Sequence, residues 1–420
     1  MIKRWLLARR PFDAPLLTLG VVLLVLGNPL AKLIFALFGM IGVNLGFARH
    51  RTWRYADRAF CAIIVCYAAW TFILVVARGE PILANRFLTY TGIMLGFVFL
   101  PMGISLIREP LDSLILGSRL AILAALILVP FDPELAVGRL GLGHNPAILA
   151  FLVAAAGLAA RMEARRPEPY LPNSRLWTYV AFIPVLLTGT RAAWIVFVPV
   201  LIFDLFSILR RWPQMPTRIR WLAVPAASAA LALAVLAAPL VHDRLEVGLA
   251  EIERFEETGL AMGSMDVRAV MWAGSLAVIA DNPLTGVGST NRINAVADAV
   301  AEENAAYVAS YTHLHNLFID EATANGLVGL ALLLGIFGVF LLQVTHGAPG
   351  GRVVETSYAF VFLVITFGSF HGVLLNEWMI LSTFSFMTLV LVSIRRDTIR
   401  ARYARLRQGD RARTPCGFRV

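Results

Sequence analysis

The chain has 420 residues, of which 58% are hydrophobic and only 15% charged, with a formal net charge of +10. Soluble domains carry about a quarter of their residues as charged side chains. A soluble globular protein, a disordered chain, a collagen-like repeat and a small disulfide scaffold are therefore excluded. What remains is an all-α polytopic membrane protein, and since a helix bundle in lipid grows by adding spans, one membrane domain over residues 1–420 is expected.

The N-terminal Met1-Ile2-Lys3-Arg4 begins like a signal peptide. Arg9-Arg10-Pro11 interrupts it and no small-residue cleavage site follows, so the next apolar run reads as a retained first span. A spanning helix needs roughly 20 mostly apolar residues. Runs of that kind sit near 13–28, 29–47, 59–77, 88–107, 112–131, 146–160, 175–190, 192–209, 220–241, 326–344, 357–372 and 377–394, which predicts about twelve transmembrane helices. The third is typical: CAIIVCYAAWTFILVV has no charge and no polar stripe, so it faces lipid or other helices all round.

Basic residues cluster between these runs, and only Lys3 and Lys32 among the 37 are lysines. With the N-terminus in the cytoplasm, alternate segments hold 27 basic residues on that side and eight on the other: Arg78, Arg86, Arg139, Arg191, Arg244, Arg254, Arg268 and Arg292. That positive-inside bias requires an even number of spans and puts both termini in the cytoplasm. Lys32 and Arg119 are left within spans. Arg119 and Asp204 lie about seven and six residues from their cytoplasmic ends, roughly 10 Å deep at ~1.5 Å per residue. Buried membrane charges are usually paired, which predicts an Arg119–Asp204 ion pair. None of Cys61, Cys66 and Cys416 falls outside the cytoplasm or membrane, so no disulfide framework is implied.

One long break, residues 242–313, falls on the outer side between spans nine and ten and carries eleven acidic residues against four arginines. LEVGLAEIERFEE (245–257) and VRAVMWAGSLAVIADNP (267–283) are helical in pattern, the second stopping before Pro283. Long ordered loops tend to be functional, and a passive cap is the alternative. Arg268 begins a helix, where the dipole favours anions, so it calls for a carboxylate or an anionic ligand beside it. Arg191, in LLTGTRAAW, lies near the outer boundary of a span, as an interfacial anchor or a ligand-binding cation. Lys32 and Arg86, near the outer ends of their spans, carry the same two readings.

Next comes YTHLHNLFIDEATANGLVGLALLL (311–334). On a helix His313 and His315, two apart, point to different sides, and a shared metal would want a spacing of four. No other His or Cys is near, so no metal site is expected. His315 and Gly326 are about three helical turns apart and lie near one face, and glycine there lets another backbone approach closely.

These residues resemble the bacterial O-antigen ligases, a superfamily that includes O-antigen polymerases and protein O-oligosaccharyltransferases. His315-Asn316, nine residues, then Gly326-Leu327-Val328-Gly329 is similar to the family's histidine signature. About twelve spans, a large outer loop just before the motif, Arg191 before a span, and Arg268 upstream of a tryptophan and of Pro283-Leu284-Thr285-Gly286-Val287-Gly288 also fit. The resemblance implies transfer of a glycan from undecaprenyl diphosphate to a sugar hydroxyl of lipid A-core, at the periplasmic face of the inner membrane. It makes 242–313 a periplasmic loop, His315 the general base, His313 an acceptor-orienting neighbour, and Arg191 and Arg268 the diphosphate ligands, with Lys32 and Arg86 as extensions. Fixed arginines suit a developing diphosphate charge, so neither metal nor cofactor is expected, and an unlinked base would invert the anomeric carbon. The partners implied are the undecaprenyl-diphosphate-linked glycan, the lipid A-core acceptor and the bilayer.

The tail, residues 395–420, holds nine arginines, which reads as attraction to the anionic inner leaflet at about 1 kcal/mol per basic residue, and no nucleic-acid partner is expected. Polymerase and protein transferase are the near alternatives. A transporter or flippase of an anionic lipid would place ionisable residues through the midplane and repeat its halves. Here the candidate cations gather at the outer face.

Overall fold

Apolar runs of membrane length fold as helices in the computed structural model, which describes residues 2–48, 50–214, 265–348 and 351–413, and between these 246, 250–251, 253–255, 257–261 and 263. The helices are α1 (Ile2–Val25), α2 (Leu30–Ala48), α3 (Arg58–Ala77), α4 (Arg86–Gly103), α5 (Pro110–Leu128), α6 (Pro146–Ala160), α7 (Leu176–Leu187), α8 (Arg191–Trp194), α9 (Phe197–Arg211), α10 (Asp266–Asp281), α11 (Arg292–Asp298), α12 (Glu302–Ala309), α13 (Leu317–Gly347), α14 (Arg352–Gly368) and α15 (Glu377–Arg413). Among the described residues, seven stretches are long and apolar enough to cross a membrane, and Pro11–Val25, Pro146–Ala160 and Leu176–Leu187 are shorter apolar helices. The chain is an all-α polytopic membrane protein. Each expected span falls on a helix, except 220–241, which lies outside the described residues together with six of the thirteen residues 245–257 and Cys416.

Local chemistry sets the boundaries. Asp57 and Asn85 cap α3 and α4 by accepting from the amides of Phe60 and Leu88, satisfying donors that a helix start leaves open. Proline opens α5 and α6, where its missing N–H removes nothing the helix would use. Gly189, at φ +67, ends the turn after α7, a backbone state glycine adopts without strain.

The chain divides into two compact units, one of residues 1–196 and 329–420 and one of residues 197–328. In the first, α6 is buried along Leu149–Ala160, and Ala154, Ala155, Ala156, Gly157, Ala159 and Ala160 leave little side chain between it and its neighbours. Helices in lipid associate through such close packing because no hydrophobic gain separates side chain from acyl chain. A Cβ on Gly42 or Gly103 would collide with the carbonyls of Phe99 and Phe38, so α2 and α4 touch backbone to backbone. Phe360 of α14 stacks on Phe386 of α15 with centroids 3.8 Å apart.

Arg119 is held by partners within this unit. Its side chain, 1% exposed, donates to the carbonyls of Ala160 (3.0 Å), Leu171 (2.7 Å) and Met162 (3.0 Å) and to Oδ1 of Asn173 (3.0 Å). Uncharged oxygens at the end of α6 and in the following loop thus receive the guanidinium. A helix C-terminus leaves four carbonyls without intrahelical partners, and their partial negative charge suits a guanidinium.

In the second unit, Val267, Met271 and Val278 of α10 pack with Ile293, Val296 and Ala297 of α11, and with Val308 and Leu314. The helix expected over 267–283 thus forms, and Val267, Met271 and Val278 make up the side of it that builds this core.

Candidate active site

The second unit builds its site around two turns. Pro283 follows α10, and Gly286 (φ +70) and Gly288 (φ +95) then carry the chain through left-handed backbone. This turn docks on α13, which the periodicity predicts to be continuous but which breaks at Gly326 (φ 71, ψ −178). The amide of Leu327 donates to Pro283 (2.7 Å), while the carbonyls of Thr323 and Ala324 accept from Val287 (2.9 Å) and Gly288 (3.0 Å). Backbone groups released by the break are thereby paired across the turn, as buried peptide groups must be. The Pro-Leu-x-Gly-x-Gly turn and the His-Asn-x9-Gly motif are two halves of one contact, and the close backbone approach expected at Gly326 is made by Leu284.

Residues 310–316 pass from α12 to α13 without being helical, which changes the expected relation of the two histidines. Instead of diverging on a helix, the His313 and His315 rings meet edge to face with centroids 4.1 Å apart. His315 takes a left-handed φ of +53. Its ring also meets Tyr311 at 5.4 Å, and Tyr311 meets Tyr307 of α12 at 5.5 Å, with their hydroxyls 3.2 Å apart. Burial, then the hydrogen bond to Tyr307, pushes the Tyr311 hydroxyl up to about 12, against the opposing pull of the nearby Arg268 charge. Arg268 of α10 is therefore within electrostatic range of the tyrosine that contacts His315. Within this unit the structure brings His313 and His315 together, with Tyr311 as the neighbour that His315 shares with the Arg268 charge. The neighbouring Asp266 carboxylate is engaged by Arg254 (3.0 Å) and by the amides of Gly263 and Val267.

The other predicted cations belong to the first unit. Arg191 is exposed and opens α8 after Thr190. The turn before it is tied by Arg139, which donates to the Thr188 carbonyl (2.9 Å) and the Thr190 hydroxyl (3.3 Å). Lys32 pairs with Glu377 and lies over the ring of Trp378, 4.2 Å from its centroid. Arg86 is exposed at the start of α4, and Tyr90 lies within electrostatic range of both Arg86 and Glu377. The two extension cations thus share a neighbourhood with a carboxylate that sequence reading did not single out. Tyr307, Tyr311, Arg139 and Glu377 were all missed there. The acidic and aromatic residues carry no spacing signal, and Arg139 was counted only for topology.

The chemistry available in the second unit is that of a base beside a fixed cation: an imidazole can take up a proton from a reacting hydroxyl, and an arginine is always charged. Residues 176–334 match the family model described as O-antigen ligase. No curated protein matches the chain. The match bears out the resemblance read from the motifs, and it spans Arg191, Arg268, His313 and His315 but not Lys32 or Arg86. The family is one of glycosyl transfer of the ligase and polymerase type, acting on a lipid-linked glycan in a membrane.

Proposed function

We propose that this chain is an O-antigen ligase of the bacterial inner membrane, with both termini cytoplasmic and residues 242–313 in the periplasm. It transfers a glycan from undecaprenyl diphosphate to a sugar hydroxyl of lipid A-core. The observation that carries this reading is the grouping of His315, His313 and Arg268 within the segment that matches the family.

In this reading His315 takes the proton of the acceptor hydroxyl as its oxygen attacks the anomeric carbon. The bond from that carbon to the diphosphate oxygen breaks on the opposite face, so configuration inverts. Arg191 and Arg268 hold the departing diphosphate, whose growing charge a planar guanidinium meets with paired hydrogen bonds. Fixed charges in a partly dry site stabilise such a leaving group far better than water does. Arg86 and Lys32 extend the cationic surface, and His313 orients the acceptor. The reaction runs on these side chains without a metal.

Purified protein, undecaprenyl-diphosphate glycan and lipid A-core, incubated with EDTA, test the reading. Movement of glycan onto lipid A-core is expected. Lengthening of the donor glycan instead would assign polymerase activity, and no transfer of either kind would overturn the enzyme.

A further inference from the structure

His315 holds a backbone conformation that bulky L residues rarely adopt, at φ +53. Such a state persists only where its surroundings over-determine it, and here one buried ion pair does much of that. Arg292 of α11 donates through Nε to Oδ1 of Asp320 (2.5 Å), through Nη1 to the Ser289 carbonyl, and through Nη2 to the Thr312 carbonyl (2.7 Å). Oδ2 of Asp320 accepts from the Leu314 amide (3.0 Å), and the Asp320 amide donates to the Asn316 carbonyl (2.8 Å). Trp272 of α10 completes the set by donating to the Leu314 carbonyl (2.9 Å). The backbone leading into His315 is therefore fixed from three elements, and the first turn of α13 follows it.

We propose that Arg292 and Asp320 are positioning residues for glycan transfer, an ion pair that sets where the His315 imidazole stands. The proposal rests on the reading of His315 as base. The charge types suit that role. One guanidinium spans three acceptors in its plane, which an ammonium cannot, and one carboxylate serves a cation and an amide at once. Side-chain exposures of 11% and 1% keep water from substituting for either partner. The two side chains hold the backbone leading into the base, at the Thr312 carbonyl and the Leu314 amide, so their removal displaces the imidazole while leaving the base itself in the chain. A displacement of about 1 Å at a reacting group can lower a rate about 10²-fold.

The test is a double-mutant cycle on the full-length protein, with undecaprenyl-diphosphate glycan as donor and lipid A-core as acceptor. Asp320→Asn, Trp272→Phe and His315→Ala are measured singly, and the first two are also combined with His315→Ala. Asp320→Asn should lower kcat by about ten- to a hundred-fold, with donor KM within about twofold, and Trp272→Phe should act the same way more mildly. Neither should slow the His315→Ala protein further. Equal fold-losses in both backgrounds, or a loss confined to KM, would overturn the positioning role while leaving the base reading intact. Full activity of His315→Ala alone would remove the base reading and the proposal with it. Should Asp320→Asn fail to fold, Arg292→Lys, which keeps a cation beside Asp320 but loses the planar reach to the Thr312 carbonyl, takes its place in the cycle with the same expected outcome.

Discussion

Gly326 and Leu284 meet backbone to backbone: a Cβ at Gly326 would collide with the Leu284 carbonyl, and φ there is +71. The contact joins the glycine turn after α10 to the break in α13, just upstream of which stand His313 and His315. It makes the glycine at this position a structural requirement of the site.

Gly326→Ala should therefore destabilise the folded protein, since extended backbone at positive φ, a region essentially confined to glycine, costs an L residue on the order of 1–3 kcal/mol and the steric collision adds to it. Gly338, in the same helix with open space around its Cα, is the control. Gly338→Ala should be neutral or stabilising by up to about 1 kcal/mol. Thermal unfolding in detergent, read by fluorescence size exclusion, distinguishes the two, and equal melting temperatures would refute the requirement.

The roles of arginine and histidine separate kinetically. Arg268→Lys and Arg191→Lys keep the charge but lose the planar fork, so both should weaken donor binding and transfer. Lys32→Met should weaken binding less, because Glu377 already partners that ammonium. His315→Ala should leave donor binding nearly intact and lower turnover by about 10²- to 10⁴-fold. Donor affinity and transfer rate for each variant check this, and unchanged affinity in both arginine variants would remove the diphosphate assignment.

Asp132 offers a pH-dependent test of the loop between α5 and α6. Burial raises the pKa of its carboxyl, but amides of Leu142 (3.0 Å), Gly141 (2.8 Å) and Glu134 (3.2 Å) outweigh that and hold it below the ordinary value. A folded-state pKa below the unfolded one means that stability is fully present above the ordinary carboxylate value of about 3.9. It is then lost as pH falls through the lower folded value. Asp132→Asn should melt below the parent at neutral pH, with the gap closing in acid. A gap that stays constant from neutral pH down into acid would show that the carboxylate charge has no part in it.

Arg119→Met should cost folded protein rather than catalysis. It would leave the buried carbonyls of Ala160 and Met162 and the part-buried carbonyl of Leu171 without this donor, at about 1–3 kcal/mol for each buried unsatisfied group, while Asn173 Oδ1 keeps the Ala164 amide. Arg119→Lys, with no planar fork, should rescue only part of the yield. Monodisperse protein recovered from membranes is the readout, and parental yield from Arg119→Met would contradict the structural role.

The positions of the apolar helices were legible in the sequence because lipid imposes one local rule: a spanning segment must satisfy its own backbone and be apolar for its length. Chain order alone carries that rule, and Arg268, His313 and His315 could be singled out because their residue types and spacings are themselves the signal. Other relations were decided only by the tertiary structure. Which oxygens receive Arg119, whether His313 and His315 meet or diverge, where α13 breaks, and which ion pair fixes the loop around His315 all depend on partners brought in from other elements. Arg292 and Asp320 are 28 residues apart, and nothing local distinguishes either from a solvated charge on a polar loop. Period and composition record how a segment meets its solvent, whereas a hydrogen bond between segments exists only once the chain has brought donor and acceptor together.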